Sequence, residues 1–245
     1  GTQNTLIGGL AGDAITTGFK NVAVGVGAGG AIQGGNNNTT IGTSSLGSLT
    51  SGGQNTGCGE AAGFGISTGS GNLCLGQDAG RANSPSGNIT TESQRICFGN
   101  SSITNAHIQV ALTVASDQRD KTDFVDLDLG LDFVKALEPV TYYWDKRSKY
   151  GDLSAADYDL SAQTPDGTHK EDWMDVGFKA QSVLALEEAA GYKLSEKKNL
   201  TVSLSGDEKQ YGLKYEKFIP ILVKAIQDQD AIIQSLTARI TALES

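Results

Sequence analysis

The chain has little that would tie it together covalently: three cysteines, four prolines and one methionine in 245 residues, with aromatics at 7%. Cys58, Cys74 and Cys97 are odd in number and lack paired spacing, which makes a poor disulfide framework and a poor zinc site. The sequence therefore predicts buried thiols acting as small hydrophobes. No apolar run approaches the roughly 18 residues of a membrane helix, and no basic-then-apolar leader opens the chain, so no membrane insertion is expected. Basic charge is scarce too. Residues 1–115 carry only Lys20, Arg81 and Arg95 against Asp13, Glu60, Asp78 and Glu92, and the whole chain has a net charge of −9. No basic stripe is present to neutralise phosphates, which argues against nucleic acid as a partner. His107 and His169 have no partner at ligand spacing, and Asp123, Asp126, Asp128 and Asp132 lack the order of a calcium loop. No metal or cofactor is expected.

Glycine is abundant and unevenly placed: 25 of the 32 glycines lie in residues 1–115. That region repeats. Asn4, Asn21, Asn38, Asn55 and Asn72 are 17 residues apart, and each opens a unit such as Asn21-Val22-Ala23-Val24-Gly25. A sixth copy, Arg95-Ile96-Cys97-Phe98-Gly99, arrives six residues late. A short strand, a Gly turn, a small-residue step (Ala11, Ala28, Ser45, Ala62, Ala79) and a polar return describe one rung of a β-helix or β-prism. With three or four apolar positions per rung a single chain has a thin core, so packing of identical chains, threefold by expectation, is needed to complete the burial. The extra residues fall in 81–94, either a recognition loop or an irregularity where the array ends.

Beyond the repeat, Ile108, Val110, Leu112 and Val114 alternate as in a half-buried strand. The spacing from Leu131 to Leu137 predicts a helix ended by Pro139, Val140–Trp144 a strand, and Tyr150–Lys170 a long polar loop turning at Pro165-Asp166-Gly167. A second helix runs from Gln181 to Ala190 and is closed by Gly191. Ile219, Leu222, Ile226, Gln229, Ile233, Leu236, Ile240 and Leu243 keep heptad spacing, which predicts a coiled coil over about 216–245.

Ser116-Asp117-Gln118-Arg119-Asp120-Lys121 stands where the neutral repeat gives way to a charged region. With Gly130-Leu131-Asp132-Phe133-Val134-Lys135-Ala136-Leu137-Glu138-Pro139-Val140-Thr141-Tyr142-Tyr143-Trp144, Val176-Gly177-Phe178-Lys179-Ala180-Gln181 and Tyr211-Gly212-Leu213-Lys214-Tyr215, it resembles the C-terminal intramolecular chaperone domain of phage tail spikes and tail fibres, peptidase family S74. The upstream repeats look like the shafts that precede this domain. The resemblance implies a fold of two parts: a trimeric β-helix or β-prism shaft in 1–115, and in 116–245 an α+β chaperone domain ending in a coiled-coil helix. It implies a homotrimer, although Ile at a and Leu at d alone would favour two strands. It also implies an autoproteolytic serine peptidase acting once in cis, with Ser116 as nucleophile, Lys121 as base, Arg119 as a supporting cation and a cut at Ser116–Asp117, whereas the easiest attack for a serine hydroxyl, on the preceding carbonyl, would split Ala115–Ser116. Ser116 and Lys121 are five residues apart and share no face of a helix or strand, so their meeting requires a turn or a neighbouring chain.

The expected setting is the C-terminal fragment of a longer polypeptide: a virion tail fibre assembled in the host cytoplasm, its chaperone domain lost on cleavage. The shaft would meet a host cell-surface receptor, a glycan among the candidates. The alternative is a permanently trimeric adhesin tip whose chaperone-like domain is inactive.

Overall fold

The computed structural model describes residues 1–153, 155 and 157–244. They form two compact units. The first comprises Gly1–Ala106, Tyr143–Trp173 and Leu204–Gln210; the second comprises His107–Tyr142, Met174–Ser203 and Tyr211–Ser245.

The repeat folds as a β-solenoid. Its strands β1 (Thr5–Ile7), β2 (Val22–Val24), β3 (Thr39–Ile41), β4 (Thr56–Cys58), β5 (Leu73–Leu75) and β6 (Ile96–Phe98) stack in sequence order as one parallel sheet. The register equals the repeat, with Val22 on Thr39 and Thr39 on Thr56. Two features of the unit enforce it. Gly25, at φ +135°, has no room for a side chain, because a Cβ there would stand 2.7 Å from the carbonyl oxygen of Gly42 in the next coil. Only glycine permits both that backbone and that approach. Asn21, Asn38 and Asn55, which open their units, are buried and bonded to their equivalents above and below. Asn38 Oδ1 accepts from the backbone N–H of Asn55 at 2.9 Å and from its Nδ2 at 3.1 Å, while Asn38 Nδ2 donates to Asn21 Oδ1 and to Gly52 O, each at 3.0 Å. The sequence marks these asparagines as the start of each rung; the structure makes them a continuous internal ladder. Replacing Asn38 with alanine leaves several buried groups unpaired, and we expect a loss of about 3–5 kcal/mol, read as a fall in the denaturant midpoint.

The core is thin, as the unit's few apolar positions require. Ile32, Leu49, Ile66 and Ile89 line it with Leu46, Ala62, Ala79, Cys74 and Cys97. The outward positions of the sheet, Ile7, Val24, Ile41, Cys58, Leu75 and Phe98 in one column and Thr5, Val22, Thr39, Thr56, Leu73 and Ile96 in the other, carry no charge. Cys58 lies there exposed, which corrects the expectation that all three thiols are buried: the pleat turns the third residue of the strand outward.

Tyr143–Trp173 is more organised than a polar loop. Glu171 is buried, with Oε1 2.8 Å from Lys146 Nζ and 3.6 Å from Lys149 Nζ. Tyr150 donates to Asp145 Oδ1 at 2.6 Å, and its oxygen accepts from the backbone of Asp166. The His169 ring meets Tyr150 edge-on.

In the second unit, α1 (Leu131–Ala136), α2 (Ala180–Ala189) and α3 (Phe218–Glu244) accompany β7 (Val140–Tyr142), antiparallel to β8 (Asp175–Gly177), and β9 (Val202–Leu204), paired with β10 (Tyr211–Leu213). Leu129, Phe133, Val183, Val202, Phe218 and Ile221 form its core. The expected strand before Ser116 is not formed: Ile108, Val110, Leu112 and Val114 lie between 58% and 78% exposed and pair with no strand among the described residues. Alternation makes a ladder only when another edge supplies its hydrogen bonds.

Candidate functional site

A single 3-10 turn, Gln118–Asp120, builds the junction. Asp117 caps it, its Oδ1 accepting from the backbone N–H of Arg119 at 2.9 Å. This is the short polar cap that such a turn needs to satisfy a free donor. The turn reverses the chain and returns Lys121 to Ser116. Lys121 Nζ stands 2.6 Å from Ser116 Oγ and 3.2 Å from the Ser116 carbonyl oxygen. One chain is thus enough to bring the two residues together, by the turn that the sequence left as one of two routes.

Arg119 sits elsewhere than expected. Its guanidinium lies on Asp117, Nη2 to Oδ2 at 2.7 Å and Nε to Oδ1 at 3.1 Å. The pairing holds the Asp117 carboxyl below the usual carboxylate range and the guanidinium above its own. Arg119 therefore fixes the shape of the turn, and its charge is neutralised locally rather than directed at Lys121. Ser116, Asp117, Arg119 and Lys121 are all exposed in the single chain.

Chemically, a lysine nitrogen in contact with both a serine hydroxyl and the adjacent carbonyl oxygen can do two things. In its neutral form it takes the hydroxyl proton; in its charged form it stabilises negative charge on that oxygen. The carbonyl concerned belongs to the Ser116–Asp117 peptide bond.

The last helix of the second unit has one buried face and one open apolar face. Phe218, Ile221 and Ala225 of α3 are buried against their own unit, and Asp228 accepts from Leu131 N at 3.1 Å at the start of α1. The heptad positions lie on another face of the helix and are open: Ile226 is 65% exposed and Ile233 53%. From residue 229 onward every described residue of the helix is exposed.

Sequence reasoning missed Glu187. In an acidic helix it reads as a solvated residue, yet it is fully buried and accepts from Thr201 N at 2.6 Å and Leu200 N at 3.1 Å, anchoring the approach to β9. The partners lie in a distant irregular segment, so no local pattern announces them. Asp207 was missed likewise: its Oδ2 accepts from Asn88 N at 2.8 Å, inside the 81–94 insertion. That loop is thus held by another part of its own compact unit, and Ile89 from it fills the core.

Residues 116–192 match the family model of peptidase S74, described as the chaperone of endosialidase. The match begins at Ser116 and ends before the Tyr211 block and α3. No curated protein and no solved structure matches the chain. A β-solenoid followed by a segment similar to this family supports an intramolecular-chaperone domain behind a repeat shaft.

Proposed function

We propose that the chain is the terminal part of a phage tail fibre or tail spike. Residues 116–245 trimerise, guide the folding of the β-solenoid and are released by one autoproteolytic cut at Ser116–Asp117, leaving the shaft for attachment to a host cell-surface receptor. The observation that carries this is the approach of Lys121 Nζ to Ser116 Oγ and to the Ser116 carbonyl oxygen, at the first residue of the matched segment.

Three apolar surfaces support self-association: the heptad face of α3, the alternating stretch 108–114 and the uncharged outer face of the sheet. A partner for that sheet face must repeat at the strand spacing of about 4.8 Å, and another copy of the chain does so. Shafts assembled from several chains fold slowly, because chain alignment precedes the contacts that reward it. A trimeric clamp sets the register first. Removing it afterwards leaves a shaft that unfolds only across a high barrier.

Attack by Ser116 Oγ on its own carbonyl would close a four-membered ring. The hydroxyl therefore attacks the Ser116–Asp117 carbonyl of a neighbouring copy; Lys121 takes the hydroxyl proton and passes it to the departing Asp117 nitrogen, and water hydrolyses the ester. Co-expressing tagged Ser116→Ala chains with the wild type tests this route. Cut variant chains in mixed trimers support attack between copies, and variant chains that stay intact beside cut wild type contradict it.

The exposure of Ser116 and Lys121 in one chain favours a second reading, a permanently trimeric adhesin tip with an inactive chaperone-like domain. Under that reading the wild-type chain stays whole after assembly.

A further inference from the structure

The last coil of the solenoid breaks the repeat in several ways at one step. The asparagine ladder runs from Asn4 to Asn72 through side-chain bonds between every successive pair, and then Arg95 replaces the next asparagine. Only the Arg95 backbone N–H reaches Asn72 Oδ1, at 3.0 Å. The glycine approach loosens as well: a Cβ on Gly76 would lie 3.2 Å from the nearest atom of Gly99, against 2.5–2.7 Å for the closest contact at Gly8, Gly25, Gly42 and Gly59. The connection to β6 also carries the six inserted residues. At this weakened step, and at no other, two thiols are stacked. The inward strand positions read Leu6, Ala23, Thr40, Gly57, Cys74 and Cys97, and the last two are register partners, both buried.

We propose that Cys74 and Cys97 form a modification site, an intrachain disulfide that staples the terminal coil to the shaft. Register partners on adjacent strands have Cα atoms about 4.8 Å apart, inside the range of about 4.4–6.8 Å that disulfides span. Interaction with the Cys97 thiol, with burial, pushes Cys74 up; interaction with Cys74, against burial and with help from the Ser86 hydroxyl and Arg95, pulls Cys97 down. Cys97 is therefore the attacking sulfur and Cys74 the resolving one.

The oxidant is a small external disulfide of the glutathione type. The Cys97 thiolate attacks one of its sulfurs and displaces a first thiolate; the Cys74 thiolate then attacks the Cys97 sulfur of the mixed disulfide and displaces the second. The protein loses two electrons, the reagent gains them, and the two protein protons end on the two released thiols. β6 is the end strand of the sheet, with Ile96 and Phe98 exposed, so opening of that coil admits the reagent.

The test uses the native full chain. Exposed Cys58 is first blocked by alkylation, the folded protein is incubated with oxidised glutathione, and it is then unfolded and treated with a second, heavier alkylating reagent. The proposal expects no second label, a mass lower by two hydrogens, and a link between the tryptic peptides that begin at Asn21 and Ile96. It also expects amide exchange across β6 to slow by about tenfold or more on oxidation. Two second labels, or glutathione adducts that never resolve, overturn it. Cys97→Ala supplies the control, since its exchange rate should not respond to the oxidant.

Discussion

Lys121→Met is expected to slow self-cleavage by about two to four orders of magnitude, the range that a positioned general base supplies. Methionine keeps the aliphatic length of the side chain and the 3-10 turn, which Asp117, Arg119 and the backbone N–H of residue 121 hold without help from the Lys121 side chain. Loss of rate would therefore report the missing nitrogen rather than a disordered junction. Time courses on denaturing gels measure the two rates. A methionine variant that cuts as fast as the wild type would remove Lys121 from the role of base. Arg119→Gln is expected to slow the cut as well, because the guanidinium holds the turn through Asp117.

Ile226→Asp with Ile233→Asp is expected to abolish the trimer and, with it, most of the soluble shaft. Each isoleucine contributes about 1.5–3 kcal/mol when buried in a helix seam, and the substitution also places six carboxylates along the axis of a trimer. Both residues are open in the single chain, so the fold of the second unit, anchored by Phe218, Ile221 and Ala225, is left alone. Ser235→Asp, on the outward face of the same helix, is the matched control and should stay trimeric. Sedimentation gives the oligomeric state, and circular dichroism separates lost assembly from lost folding. If cutting occurs between neighbouring copies, the double variant also cleaves at least tenfold more slowly. Full-rate cleavage by a monomer would show that the cut is independent of assembly.

How far the sequence determines this picture differs between the halves. In residues 1–76 the 17-residue period transfers directly into strand register, because the first five coils repeat the same glycine approach and the same asparagine bond. What the period does not reveal is the direction of each side chain: the place of Cys58 outside and Cys74 inside follows from the pleat and from which strand residue is central. In residues 116–245 the helices are legible from spacing and from the stops at Pro139 and Gly191, while the contacts that hold their surroundings are not. Glu171 between two lysines, Glu187 beneath the segment leading into β9 and Asp207 on Asn88 join residues far apart in sequence, and a charged residue looks the same locally whether buried or solvated. At the junction, residue types alone named Ser116 and Lys121. The turn that unites them depends on Asp117 accepting from Arg119, a local bond that the Asp-Xaa-Arg spacing permits without requiring.

Intact mass spectrometry of residues 1–245 and of the Ser116→Ala variant, each after expression and assembly, tests the central claim most directly. The account predicts two wild-type fragments, one ending at Ser116 and one beginning at Asp117, and a single full-length mass for the variant. A full-length wild type, or a cut that persists at the same bond in Ser116→Ala, contradicts it.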